Sequence, residues 1–376
     1  MSAPAVPRVP LSVLDLVPIT GTDRPEQALQ QSLDLVRATE AAGYRRYWFA
    51  EHHLNPGVLG SSPAVLIALA ASVSSRIRLG SGAVQLGHRT ALSVAEEFAL
   101  LALAHPGRID LGLGRSGGRP ALPPPPSDPT ERITPEGLLI PAPFTGWGAL
   151  LAAPRFAGIR RLLEFPGADP ADFEIQVDTI LAVLAGKYTD AEGVTFDVPG
   201  PVPATGPEVW LLGSSAGTSA NLAGRHGLPF AANYHVAPAG VLDSIAAYRA
   251  AFRPSADLAQ PYVVVSADVV VGETDAAARE LAAGYGHWVH SIRSGAGAIV
   301  FPTPEQASAA PLDEAALALV DDRVRTQLVG APDSVVTQLQ ALQVATGADE
   351  LLITTITAGH ADRVRSYQLL AQAWRA

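Results

Sequence analysis

The chain contains no cysteine, which removes disulfides, thiolate metal sites and a cysteine nucleophile together. It also lacks any apolar stretch near the roughly twenty residues that a membrane-crossing helix needs. Between Met1 and Pro10 there is one arginine and no long apolar run, so no signal peptide is expected. Positive charge is scarce: 26 Lys and Arg stand against 36 Asp and Glu, a formal charge of −10 with no basic stripe. Nucleic acid and acidic membrane surfaces are therefore poor partners, while a basic protein partner stays open. HEXXH spacing and Asp-rich triads are missing too, so no metal centre is expected. The exclusions together leave a soluble, cytoplasmic protein.

What the chain does have is apolar material: 48% of its residues are hydrophobic, enough for a large core. Strand-like runs at 11–19, 46–51, 77–86, 108–114, 209–213, 229–236, 262–271 and 350–356 alternate with helix-like runs. The helix-like runs include 25–42, 63–75, 91–104, 169–185, 216–226, 239–252, 274–291, 313–327, 332–346 and 360–374. Eight strands, each followed by helix, favour a closed (β/α)8 TIM barrel over an open doubly wound sheet, which usually holds fewer strands. Residues 1–376 are accordingly read as one domain. The alternation breaks at about 116–168, a Pro- and Gly-rich stretch with four consecutive prolines at 123–126, expected to form a long insertion or lid. A second mobile loop is expected at about 295–311. Active sites of such barrels lie at the carboxyl ends of the strands, so polar residues there carry the functional weight.

Three clusters stand at such ends. Glu51-His52-His53 closes the second strand; an imidazole there can move protons near neutral pH, and a carboxylate beside it can fix its tautomer. Successive side chains of a strand point to opposite faces, so these three are not expected to share one metal ion. The stretch 112–118 (GLGRSGG) contains GxGxxG after a strand, but the chain beyond is proline-rich rather than helical, which argues against a dinucleotide turn. Arg115 on a Gly-rich loop that includes Gly117 remains a fair anion contact. The stretch 213–218 (GSSAGT) leads from a strand into a helix, where free amides, the hydroxyls of Ser214, Ser215 and Thr218, and the helix dipole suit a phosphate. The bland alternative is an ordinary serine cap. His88 and Arg89 after the third strand, Tyr234 and His235 at the sixth, Phe144 and Trp147 in the insertion, and His287 and Trp288 in a helix could line a substrate pocket. Plain packing is the expectation for Tyr234 and Trp288, and a solvated strand end for His235.

Taken in order, these clusters and several stretches around them resemble the bacterial luciferase-like flavin-dependent monooxygenases. The stretches are 47–53 (YWFAEHH), 77–86 (IRLGSGAVQL), 105–114 (HPGRIDLGLG), 210–215 (WLLGSS), 227–231 (GLPFA), 329–332 (VGAP) and 346–352 (TGADELL). The resemblance implies a (β/α)8 barrel that uses reduced FMN, often supplied by a separate reductase, and molecular oxygen to oxygenate an organic substrate. It implies catalytic help from His52, with Glu51 beside it. Flavin-phosphate contacts would come from Arg115, Gly117, Ser214, Ser215 and Thr218, and Gly82 and Ala83 would lie on the strand beneath the flavin ring. His53, His88, Tyr234 and His235 are the substrate-side candidates. Relatives also include F420-dependent dehydrogenases or reductases and proteins that hold flavin without turnover; homodimers are common. The run 86–91 (LGHRTA) departs from the Leu-Pro usual after the third strand. The apolar, proline-rich insertion leans towards a bulky natural product of secondary metabolism as substrate.

Overall fold

A computed structural model describes residues 7–115, 124–164, 172–200 and 205–376. The eight expected strands are present: β1 (Leu11–Asp15), β2 (Arg46–Phe49), β3 (Arg78–Ser81), β4 (Ile109–Gly114), β5 (Glu208–Gly213), β6 (Phe230–Asn233), β7 (Val263–Val271) and β8 (Glu350–Thr354). Each pairs in parallel with its successor. β8 pairs back onto β1 through Leu11 opposite Leu351, which closes the barrel. Closure leaves no unpaired edge and buries every strand on both faces. This is why β7 reads as a nearly unbroken apolar run, VVVSADVVV, with all nine residues buried.

Helices α1 (Pro25–Ala41), α2 (Pro63–Ala71) and α3 (Ala91–Ala104) follow the first three strands. Prolines open α1 and α2, where the missing amide proton costs no helical bond, and the Thr90 hydroxyl caps α3. Between β4 and β5 lie α4 (Trp147–Ala152), α5 (Pro154–Leu163) and α6 (Phe173–Leu184). The outer ring is completed by α7 (Thr218–His226), α8 (Val241–Ala251), α9 (Asp275–Leu281), α10 (Tyr285–Arg293), α11 (Pro304–Ala309), α12 (Glu314–Thr326), α13 (Pro332–Thr346) and α14 (His360–Arg375). Among the described residues no helix is long and apolar enough to cross a membrane.

Several expectations need correcting. The run 77–86 is not one strand: it stops at Ser81, passes a cis peptide bond between Gly82 and Ala83, and resumes at Val84–Gln85 against β4. The run 274–291 is two helices, α9 and α10. A short strand, Leu328–Gly330, pairs with the far half of β7 where only helices were expected. The stretch 295–311 holds α11 and is tied to the barrel, with Gly57 N donating to Ala298 O (2.8 Å) and Phe301 N to Ile19 O (2.9 Å). The segment after β4 is not merely loop, since 124–164 contains a small antiparallel pair (Arg132–Ile133 with Leu139–Ile140) besides α4 and α5.

One end of the barrel interior is closed by charge. Arg46, 1% exposed, donates from Nη1 to Asp110 and to Glu208, both at 2.9 Å, and from Nε to the Glu350 carboxylate at 3.2 Å. Its guanidinium lies 4.6 Å from the Trp210 ring centroid. Asp110 also accepts from Trp48 Nε1 (2.9 Å) and Arg78 Nε (2.8 Å), and Glu350 from the Tyr262 hydroxyl (2.9 Å) and Ser12. Arg46, Arg78, Glu208 and Glu350 begin their strands, so this plug marks the amino-terminal mouth. Close strand approach is needed beside it: a Cβ on Gly112 would stand 2.1 Å from Ser81 O, which only glycine avoids.

Removing the central cation would leave the buried Asp110 and Glu350 and the half-exposed Glu208 with Arg78 as the remaining cation on the first and last of these. Arg46→Met should therefore lower the unfolding free energy by about 3–5 kcal/mol. A urea titration followed by tryptophan fluorescence reads this as a lower midpoint with an unchanged slope.

Candidate active site

At the opposite, carboxyl-terminal mouth is a cavity of about 700 Å³. Leu14, Leu16, Leu212, Ala231, Leu352 and Ile356 form an apolar bay at the strand ends, and Gly82 and Ala83 line it from the break after β3. Phe144, Trp147, Leu150 and Leu151 cover one side from α4 and the loop before it. Arg155, Phe156, Ile159 and Arg160 extend that wall along α5. The stretch expected as an insertion or lid contains this pair of helices; residues 116–123 and 165–171, Gly117 among them, lie outside the described residues.

The Glu51-His52-His53 cluster departs from strand geometry because β2 ends at Phe49. Glu51 and His53, two positions apart, still meet on one side, and His52 between them turns away. His53 Nε2 is 2.9 Å from Glu51 Oε1, His88 Nε2 is 3.2 Å from the same oxygen, and Gln85 N donates to Oε2 at 2.8 Å. The His53 and His88 rings stand edge to face, 4.8 Å apart. As expected, Glu51, His52 and His53 do not converge on one point: His52 is left out, and His88 joins instead, with one ligating atom from each of Glu51, His53 and His88 within 4.8 Å of the others. Burial opposes ionisation of Glu51, but the bonds from His53, His88 and Gln85 outweigh it and hold the carboxyl at about 2.

His52 lines the cavity with its Nδ1 sealed and without a hydrogen-bond partner. Burial, then the neighbouring His53, push its imidazole down to about 4 against the pull of Glu51, so it is neutral at pH 7; water in the open cavity screens part of that burial. His235 also faces the cavity, its Nδ1 2.7 Å from Ser266 Oγ. Burial and then Arg323 and His52 push it to about 3. The expectation of a solvated strand end for His235 is thus replaced by a half-buried cavity wall. Tyr234 fills the packing role instead: 1% exposed, it donates to Leu139 O at 2.8 Å and is absent from the cavity lining. Trp288 packs in the core as expected and also borders the cavity, whereas His287 is turned to Ala310 O at 2.8 Å.

At the other end of the cavity, Ser214, Ser215, Thr218 and Arg115 come together. β4 and β5 pair with Leu113 opposite Leu211, so the residues just past their ends are neighbours. Gly217 is the cap residue of α7 and Thr218 its first residue, so no serine caps that helix. Among the described residues, the three hydroxyls and the Arg115 guanidinium make no hydrogen bond or ion pair, and Arg115 is exposed. Open hydroxyls, a helix start and a free cation suit a phosphate, and the apolar bay suits a planar ring system, so a flavin mononucleotide fits this donor set.

The sequence reading missed the cavity's polar floor. Asp268 of β7 and Arg323 of α12, both buried, pair at 3.1 Å, and Arg323 also donates to the Tyr285 hydroxyl at 2.8 Å. Burial raises the Asp268 carboxyl despite Arg323 and Tyr285. A charged residue inside the valine run of β7 was the one available signal.

A model of the family described as luciferase-like monooxygenase matches residues 9–132 and 171–350. The chain belongs to the luciferase-like monooxygenase family. A luciferase-like monooxygenase of Escherichia coli (strain K12) is 31% identical over 363 residues, covering 96% of each chain. The crystal structure of apo-MsnO8 matches with a TM-score of 0.77 and 32% identity over 98% of both chains. Two more distant structures share the fold. The oxygenating constituent of 3,6-diketocamphane monooxygenase from Pseudomonas putida, in complex with FMN, has a TM-score of 0.64, 17% identity and 97% coverage of both chains. An F420-dependent secondary alcohol dehydrogenase with an F420-acetone adduct has a TM-score of 0.60 and 15% identity, covering 98% of this chain and 100% of that one. Barrels of this fold thus hold either cofactor.

The depressed imidazole of His52 links this family member's site to its stability. An unfolded histidine titrates near 6.5, so between pH 6.5 and about 4 the unfolded chain binds the extra proton. Stability is full above 6.5 and falls as the pH drops through that window, by at most about 3 kcal/mol for this residue. Urea midpoints measured from pH 7 to 4 should fall less steeply in His52→Asn than in the parent; parallel curves would contradict the shift.

Proposed function

We propose that this luciferase-like monooxygenase binds reduced FMN and uses molecular oxygen to oxygenate an organic substrate by hydroxylation, epoxidation or Baeyer-Villiger insertion. The observation that carries the reading is a cavity with an unpartnered phosphate-type cradle at one end and a neutral histidine at the other. Arg115, Ser214, Ser215 and Thr218, with Gly117 as a further candidate, would hold the phosphate. Gly82 and Ala83 would support the ring. The bound flavin supplies electrons and activates oxygen. His52, neutral at pH 7, would give acid–base help near the reacting atoms without placing a charge there. Phe144, Trp147 and Phe156 would exclude water and present an apolar wall, in keeping with a bulky natural product of secondary metabolism. His53 and His235 would meet the substrate side; His88, expected there but absent from the cavity lining, would act through Glu51, and Tyr234 only through packing. A separate flavin reductase would supply the reduced cofactor in the cytoplasm.

An anaerobic titration with reduced FMN, followed by oxygen, tests this. Arg115→Ala should weaken FMN binding by about 10- to 100-fold, the worth of a charge-assisted contact, while riboflavin, which lacks the phosphate, binds both proteins alike. His52→Asn should bind FMN normally and lose about 100-fold or more in product formation. FMN binding without oxygen uptake would indicate a non-catalytic flavin holder; F420 binding in place of FMN would indicate a dehydrogenase or reductase.

We also propose a homodimer. Val65 and Leu69 of α2 and Leu92, Leu100 and Leu103 of α3 are exposed on helices that pack together, an apolar face suited to a second copy. Light scattering should give twice the 39.0 kDa chain mass, reduced to one chain by Leu100→Glu with Leu103→Glu. A monomeric parent would refute it.

A further inference from the structure

We infer that His52 and His53 face the cavity with opposite hydrogen-bonding polarity, and that His88 is the positioning residue that holds this arrangement through Glu51. His52 offers a donor at Nε2; His53 offers a proton acceptor at Nδ1. The chemical use of the pair rests on the monooxygenase reading; the proton positions do not.

An ionised carboxylate only accepts hydrogen bonds. With Nε2 of both His53 and His88 beside Glu51 Oε1, both rings carry their proton on Nε2 and leave Nδ1 bare. The Nδ1 of His88 is sealed in protein without a partner, so that ring acts on nothing beyond Glu51. The Nδ1 of His53 makes no hydrogen bond and is not among the sealed unpartnered atoms, and its residue lines the cavity. It is the lone pair left to a ligand. His52 is the reverse case. Its Nδ1 is sealed with no acceptor in reach, and a buried N–H without an acceptor is the costlier choice. The proton therefore sits on Nε2, which keeps access to the cavity.

His88 matters because it completes the anchor. Gln85 N occupies Oε2 while two imidazoles occupy Oε1, so the carboxylate cannot turn without breaking one of three bonds. The His53 ring also packs edge to face on His88, 4.8 Å between centroids. His88 in turn ends the short helical turn Leu86–His88, whose Leu86 carbonyl accepts from Gln176 Nε2 at 3.1 Å, with Arg89 O at 2.9 Å. In a turnover, His53 would take a proton from the substrate at Nδ1, and the resulting imidazolium would be matched by Glu51. His52 would donate a hydrogen bond to an oxygen, and the proton on His53 would pass to water or to the product.

Nitrogen-15 NMR of the full chain labelled at histidine reads the proton positions without flavin or substrate, so failure of the oxygenation reading leaves it interpretable. The expected spectrum has His52 and His53 both protonated at Nε2. His88→Leu should weaken the His53 preference by about tenfold, giving mixed tautomers, while His88→Gln, which can still donate to Oε1, restores it. Glu51→Gln reads the same point independently should His88→Leu fail to fold. A proton on His52 Nδ1, or a His53 signal unmoved in every folded variant, would overturn the inference. So would micromolar binding of Co²⁺ that Glu51→Gln abolishes, since the three side chains would then be a metal centre.

Discussion

Arg46 is the charge around which this barrel is assembled. A guanidinium with almost no access to water is tolerable only because three carboxylates from three other strands converge on it, and those carboxylates are tolerable only because of it. The arrangement ties β2 to β4, β5 and β8 at one mouth, with Arg78 of β3 bound into the same cluster. Because that mouth is filled by ion pairs and by the crossed rings of Trp48 and Trp210, the open volume can lie only at the other.

The two mouths use charge in opposite ways. In the plug, each cation and anion is answered within the protein. Around the cavity, Arg115 and the hydroxyls of Ser214, Ser215 and Thr218 are left unanswered among the described residues, and His52 is held neutral by burial. Unanswered donors are costly in a structure and useful to a ligand. The Glu51 anchor and the Asp268–Arg323 pair lie between these extremes: their partners are internal, yet both border the cavity.

Most of the barrel was legible because its signals are local. Continuous apolar runs of strand length, amphipathic runs after them and Gly-Ser turns at the junctions follow from the periods of the two secondary structures. GSSAGT and Arg115 were likewise legible as polar strand ends, and the structure brings them to one cavity. His88 and Arg323 could not be placed that way. His88 meets Glu51 across 37 positions and Arg323 meets Asp268 across 55. His235 was misread because burial belongs to the assembled barrel and not to the peptide around it.

The sequence by itself determined the order and number of strands, hence the closed parallel barrel, and the residue types at the strand ends, hence the family and the chemistry available. Tertiary structure alone decided which of those residues share a carboxylate, which are sealed and which face the cavity. Hydrophobic periodicity acts over one or two turns of chain. Imidazole polarity and desolvation depend on atoms brought within about 3–4 Å from distant positions, and no local pattern encodes that.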